Sequence, residues 1–171
     1  MPEQIEIFGS VVELPSLGGT TWRVRKRLIE ARLCTMLQLG RFSDSENLLY
    51  VLAKRDLYLR HILFAPAGLS AKRIRQQQRR RSAARHQPPT TSLKILLRAA
   101  RAEAVELFHR EVGVEHLLLA LLKLDHSSAN LLADADLTYD RAREVIRKRG
   151  VAGYHVKLFG LRPTFWQSNK N

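Results

Sequence analysis

The stretch VGVEHLLLALLKLD, residues 112–125, decides the fold, because the earlier stretch SDSENLLYVLAKRD, residues 43–56, repeats its pattern. Six positions are identical at one constant separation: Glu46 and Glu115, Leu48 and Leu117, Leu49 and Leu118, Leu52 and Leu121, Lys54 and Lys123, Asp56 and Asp125. In both stretches the leucines follow a polar start at the spacing of a helix that packs into a core. The repetition predicts an internally duplicated domain.

Around these two helices the sequence predicts two copies of a four-helix unit. Further apolar positions align at a slightly shorter shift: Leu28 with Leu96, Ala31 with Ala99, Leu39 with Leu107, Leu69 with Leu137. Pro88 and Pro89 separate the copies, since the residue before a proline resists helical geometry. We therefore predict an all-α fold of two pseudo-symmetric four-helix repeats, residues 22–87 and 90–150. The paired leucines are expected to face a shared interior: Leu48, Leu49, Leu117 and Leu118.

The helix boundaries are marked by caps. Ser43 and Glu46 have the spacing of a capping box, and Ser70 is placed to cap the fourth helix of the first copy. In the second copy Gly150 is expected to end the last helix. Residues 1–21 are predicted to form an arm with two short strands, and residues 151–171 a tail that could pair with it.

The composition favours a cytoplasmic protein without a membrane span. Cys34 is the single cysteine, so no internal disulfide can form, and the first residues lack the features of a secretory signal. The longest apolar run, HLLLALL, falls far short of the roughly 18 residues that a span requires. A formal net charge of +13 indicates an anionic partner.

The positive charge is concentrated in residues 72–86, KRIRQQQRRRSAARH, which contain no Asp or Glu. One interpretation is a solvated linker between the repeats, favoured because no aromatic residue interleaves the arginines to stack on bases. The alternative is an electrostatic patch for nucleic acid or an acidic protein surface. The candidate patch residues are Lys72, Arg73, Arg75, Arg79, Arg80, Arg81 and Arg85.

The second copy resembles the Clp repeat, the unit found twice in the N-terminal domain of ClpA- and ClpC-type unfoldases. The resemblance is carried by ARAEAVELFHREVGVEHLLLALL, residues 100–122, in which Phe108 stands where the family usually has glycine and Val114 where it has threonine. The first copy is more degenerate, with Asn47 in place of the expected histidine. No G-x-x-x-x-G-K-[ST] motif for nucleotide phosphates occurs in the sequence. The expectation is a free-standing Clp N-terminal domain without the ATPase module.

The resemblance also implies a ligand pocket of the phosphoarginine type, in which a glutamate binds the guanidinium and a threonine the phosphate. Residue by residue, these roles fall on Glu115 and Thr90 in the second repeat and on Glu46 in the first, where the threonine position holds Trp22. Glu46 has a local explanation as the capping-box partner of Ser43, and Thr90 can equally be an N-cap. We therefore expect such a ligand to prefer Glu115 and Thr90.

No catalytic, metal or cofactor site is predicted. His109, His116 and Asp125 lack the close helical spacing of zinc ligands, and Cys34 has no neighbouring His or Asp motif. The expected function is a non-enzymatic binding module of the Clp proteolytic system. Its expected partners are a Clp unfoldase, a protease core, adaptors or substrates. The alternative is a basic nucleic-acid-binding protein that reuses the fold.

Overall fold

The computed structural model describes residues 3–7, 10–14, 18–37, 42–83 and 91–149, with side chains for residues 18–37, 42–82 and 91–148. Two strands come first, β1 (Glu3–Ile7) and β2 (Ser10–Leu14). The helices then follow in this order: α1 (Trp22–Leu37), α2 (Asp44–Arg55), α3 (Leu57–Leu59) continued by a π-helical turn (Arg60–Phe64), α4 (Ala71–Ala83), α5 (Leu93–Glu106), α6 (Val114–Leu124), α7 (His126–Ala133) and α8 (Tyr139–Arg149).

The predicted all-α fold is confirmed. Helices α1 to α4 and α5 to α8 run in the order expected of two four-helix units, although the boundaries of the two repeats stay a prediction. The expected strands of the arm form an antiparallel hairpin in which Glu3 pairs with Leu14 and Ile7 with Ser10. The predicted C-cap Gly150 and the tail, residues 151–171, lie outside the described residues.

One core joins the two units, and the leucine pairs lie at its centre. Leu48, Leu49, Leu117 and Leu118 are all fully buried and belong to the same apolar cluster. Helices α2 and α6 contact each other, so the two copies of the leucine pattern pack together as predicted. Burial of such side chains contributes about 1.5–3 kcal/mol each, which makes this pairing a main source of stability.

The duplication extends to the polar junctions that follow α2 and α6. Asp56 ends α2 and begins α3, where its carboxylate accepts the Leu59 amide at 3.0 Å. Asp125 does the same between α6 and α7, accepting the Ser128 amide at 3.0 Å. Both carboxylates are almost fully buried. Each therefore fixes the angle between two consecutive helices by capping the second.

The end of α5 stores backbone strain at Phe108. The Phe108 amide bonds the Val105 carbonyl at 3.0 Å and the His109 amide bonds the Ala104 carbonyl at 2.8 Å, which together make a Schellman motif. The motif requires a left-handed residue, and Phe108 has φ 58°. A bulky residue in this conformation costs on the order of 1 kcal/mol or more, and the ring is 95% exposed. The glycine expected from the resemblance would remove that cost.

Candidate functional site

The start of α2 has the capping box predicted from the sequence. Ser43 Oγ accepts the Glu46 amide at 3.2 Å, and the Ser43 amide donates to Glu46 Oε2 at 2.9 Å. Ser43 Oγ is also within hydrogen-bond distance of Glu46 Oε2, at 3.1 Å. Glu46 is only 2% exposed. Its carboxylate is therefore occupied by its own helix start.

The start of α6 differs from this by one residue. The N-cap is Gly113 and not Val112, the residue that is equivalent to Ser43 in the sequence repeat. His116 becomes the third residue of the helix, and its Nδ1 accepts the Gly113 amide at 2.8 Å. Only this return half of a capping box exists, since glycine has no side chain with which to accept the second bond.

Glu115 is consequently the second residue of α6, and its side chain folds back over Gly113. A Cβ atom at Gly113 would overlap the Glu115 carboxyl group, so glycine is required for this conformation. Burial raises the pKa of the Glu115 carboxyl, although a hydrogen bond from its own backbone amide and the charge of Arg23 oppose the shift. Glu115 is 6% exposed.

The same turn brings together three groups that sequence spacing did not connect. Potential ligand atoms of His109, Glu115 and His116 all lie within 4.8 Å of one another. His109 is three residues past the end of α5, and the Schellman turn brings it back to α6, where its Nδ1 lies 2.7 Å from His116 Nε2. His109 and His116 lie on either side of a turn, so their separation in the sequence does not have the spacing of two ligands on one helix.

Hydrogen bonding assigns the protons in this cluster. Because the Gly113 amide donates to Nδ1 of His116, a neutral His116 carries its proton on Nε2 and donates it to Nδ1 of His109. Both ring nitrogens of His116 are thus engaged. A metal ion at His116 would have to displace one of these two hydrogen bonds. The cluster is therefore better suited to joining the end of α5 to the start of α6 than to binding a metal.

We expect this cluster to make the fold sensitive to acid. Burial and the neighbouring His109 lower the pKa of His116 to about 4, well below the 6.5 of an unfolded histidine. The unfolded chain therefore binds the proton first, and the free energy of unfolding falls as pH drops below 6.5, by up to about 1.4 kcal/mol per pH unit until pH 4. Glu115 opposes this in part, because its pKa is raised. Urea unfolding between pH 7.5 and 4.5 measures the slope.

The matched variant for this prediction is His116→Gln. Glutamine at this position can accept a hydrogen bond from the Gly113 amide, as it does in many capping boxes, but it does not titrate. The fall in stability between pH 6.5 and 5 should be clearly smaller in the variant. A slope equal to that of the wild type would assign the acid sensitivity to other groups.

The described residues near the predicted pockets lie at opposite ends of α6. Thr90 lies outside the described residues, but the side chain of its neighbour Thr91 donates to the Leu124 carbonyl at 3.2 Å, at the far end of α6. Glu115 is at the other end of that helix, roughly 15 Å away for ten residues. It faces the start of α1, where the Thr21 amide bonds the Val112 carbonyl at 3.1 Å.

Thr91 also comes close to the start of α2. Its amide donates to Asp125 Oδ1 at 3.4 Å, and Ser45 donates to the same oxygen at 3.1 Å. Ser45 adjoins Glu46, so the first-copy glutamate is the one that lies near the start of α5. The pairing of Glu115 with Thr90 itself stays a prediction.

The basic segment contributes only part of the predicted electrostatic patch. Arg75 is 7% exposed and does not belong to it: its guanidinium donates to Asn47 Oδ1 at 2.8 Å and lies 4.4 Å and 4.0 Å from the ring centres of Phe42 and Tyr50. Gln78, 1% exposed, donates to the Glu46 carbonyl at 2.8 Å. Helix α4 therefore docks through these polar side chains and the fully buried Ile74, and the interpretation as a solvated linker is wrong for residues 72–82.

The other patch residues fall into three groups. Arg81 is half-buried and binds α7, donating to the Ser127 carbonyl at 3.0 Å and lying 3.1 Å from Asp134. Arg73 is exposed and donates to the Gly68 carbonyl. The fully solvent-facing cations are Lys72, Arg79 and Arg80, while Arg85 lies outside the described residues.

A groove of about 790 Å³ lies between the start of α1 and the junction of α2 with α3. Its described lining combines cations with aromatic and apolar side chains: Arg23, Arg27, Arg55, Arg60, Trp22, Leu57 and Tyr58. Asp56 also lines it, but this carboxylate is 3% exposed and caps α3. The sequence analysis missed the groove because its residues come from separate segments, none of which is conspicuous alone.

The second predicted repeat matches a known family. Residues 88–153 match the Clp repeat (R) N-terminal domain. A curated relative, described as a probable ATP-dependent Clp protease ATP-binding subunit from Chlamydia pneumoniae, is 33% identical over 72 residues. That match covers 42% of this chain and 8% of the relative. None of the helices in the described ranges has the length and apolar character that a bilayer crossing requires.

Proposed function

Since residues 88–153 form a Clp repeat domain, we propose that the protein is a non-enzymatic binding module of the Clp proteolytic system, located in the cytoplasm. Clp repeat domains are interaction domains, which gives the class of function. The expected partners are a Clp unfoldase, a protease core, an adaptor or a substrate protein.

The observation that carries the proposal is the match itself together with the packing of the matched helices. Four leucines of the recognised motif are fully buried in the core that joins both units, so the family pattern serves here as a folded domain: Leu117, Leu118, Leu119 and Leu121. The groups that first suggested chemistry, Glu46, His109 and His116, are engaged at helix ends. This arrangement suits a scaffold that presents surfaces to partners.

The proposal is tested by recovering the full chain, carrying an affinity tag, from its native cells under gentle lysis. Mass spectrometry should find a Clp ATPase, protease or adaptor enriched over a tag-only control. A purified candidate partner should then bind the purified chain in a saturable way. Absence of every Clp component, or failure of each recovered component to bind directly, would overturn the proposal.

Within this function, we propose that Glu115 rather than Glu46 receives a phosphoarginine-type ligand. Glu46 Oε2 is held by two groups of Ser43, whereas the Glu115 carboxyl accepts its own amide and lies 3.8 Å from His116 Nδ1, with the charges of Asp56 and Arg23 nearby. A guanidinium would bind the carboxylate, and Arg23 with the start of α1 would lie close to the phosphate.

Calorimetric titration with free phosphoarginine tests this assignment. Glu115→Ala should weaken binding at least about tenfold, the loss expected for one charge-assisted contact. Glu46→Ala is the matched control and should bind within a factor of about three of the wild type once its folding has been checked by circular dichroism. Equal affinities in the wild type and Glu115→Ala, or no binding at all, would refute it.

A further inference from the structure

We propose that the groove between α1 and the α2–α3 junction binds an acidic peptide segment that carries a large apolar side chain. At about 790 Å³ the groove is within the size range of sites that enclose ligand side chains. The inference does not depend on the Clp association, because it uses only the charge and shape of this surface.

The cations of the groove provide the first argument. Arg55 and Arg60 are exposed, and neither side chain makes a hydrogen bond or ion pair with another described residue. Arg27, by contrast, is fixed: it donates to Glu30 at 2.7 Å and to the Arg55 carbonyl at 2.8 Å. One fixed arginine and two without a partner among the described residues, all lining one groove, favour carboxylates, which a guanidinium binds through two parallel hydrogen bonds.

The exposed apolar side chains provide the second argument. Trp22 is 66% exposed and Leu57 is 60% exposed, and both line the same groove. Leu57 directly follows the capping Asp56, so helix geometry would accept a polar residue there. A tryptophan beside arginines is the composition typical of binding hot spots. The partner should therefore insert an aromatic or large aliphatic side chain between its acidic residues.

Charge disfavours several possible occupants of the groove, but not the chain's own residues 1–14, which carry Glu3, Glu6 and Glu13 and no Lys or Arg. The chain's own segment 151–171 carries Lys157, Arg162 and Lys170 and no Asp or Glu, so the groove would repel it. A second copy of this chain, with a formal net charge of +13, is disfavoured for the same reason. Single-stranded nucleic acid needs cations along a track of successive phosphates, whereas these cations surround one concavity. An acidic peptide with one large apolar side chain supplies both the carboxylates for the arginines and the apolar contact for Trp22 and Leu57.

Fluorescence anisotropy with the full chain and a labelled heptapeptide, Asp-Glu-Asp-Phe-Glu-Asp-Glu, tests the proposal. The double variant Arg55→Gln/Arg60→Gln should weaken binding at least about tenfold. Its matched control is Arg79→Gln/Arg80→Gln, which removes the same charge from the exposed side of α4 and should change affinity less than about threefold. A peptide with serine in place of phenylalanine, and the variant Trp22→Ala, should each bind several-fold more weakly.

Three results would overturn the proposal. Equal losses in the two double variants would mean that the peptide senses overall charge and not the groove. An oligothymidylate that competes for the groove with higher affinity than the peptide would make it a nucleic-acid site. The absence of saturable peptide binding would remove the site altogether. None of these results depends on whether Clp components are recovered from cells, so the two proposals fail separately.

Discussion

Replacing Arg75 by alanine is expected to lower the free energy of unfolding by about 3–5 kcal/mol, although sequence alone places this residue in a solvated basic segment. In the structure its guanidinium is buried between Phe42 and Tyr50 and donates to Asn47 Oδ1 at 2.8 Å and Gln78 Oε1 at 3.0 Å. The two amide groups are themselves almost fully buried.

The size of the effect follows from what alanine would leave behind. Two buried amide oxygens would lose their donor, at about 1–3 kcal/mol each, and two aromatic faces would lose their cation. Burial lowers the pKa of Arg75, and the neighbouring groups that favour its charge offset this desolvation only in part. Helix α4 would also lose the contact that joins it to α2 through Asn47.

Two variants make this prediction specific. Arg75→Lys keeps the charge but loses the planar fork, so it should recover only part of the stability. Arg79→Ala, on the exposed side of the same helix, should change stability by less than about 0.5 kcal/mol. Urea unfolding followed by circular dichroism measures all three. A loss below about 1 kcal/mol for Arg75→Ala would mean that α4 docks by other means.

Arg75 also shows where sequence reasoning reached its limit. The leucine repeat predicted α2, α6 and their shared core, because apolar periodicity reports directly on which helix face is buried. Helix α4 has little apolar periodicity, so its charge suggested a linker. Beside the single buried Ile74, what docks it is a set of matched polar partners, Asn47 and the Glu46 carbonyl among them, and a sequence does not reveal which donor will meet which acceptor.

A shift of one residue in the helix start explains why Glu46 and Glu115 make different contacts. Glu46 and Glu115 are equivalent in the sequence repeat, yet they become the third and second residues of their helices because α6 begins after Gly113. His116 then takes the place of Glu46 as the residue that reaches back to the cap. Helix starts are set by local hydrogen bonds, and a single residue changes which side chain points to which group.

Glu103→Ala is expected to destabilise the protein by about 2–4 kcal/mol, because this fully buried carboxylate joins three helices. From α5 it accepts a hydrogen bond from Lys123 at the end of α6 at 2.8 Å. Both of its oxygens lie 2.9 Å from the hydroxyl of Tyr139, the first residue of α8. The carboxylate also raises the pKa of Lys123, as expected for an ion pair.

The matched variants separate its charge from its hydrogen bonds. Glu103→Gln keeps an acceptor for Tyr139 but removes the charge that Lys123 and Arg143 face, and should cost about half as much as alanine. Glu106→Ala removes the half-exposed carboxylate of the same network, 2.8 Å from Arg143 Nη2, and should cost less than about 1 kcal/mol because water screens that pair. If Glu106→Ala proved as damaging as Glu103→Ala, the surface ion pairs would hold α8 in place, and burial of Glu103 would not explain the docking of the second unit's last helix.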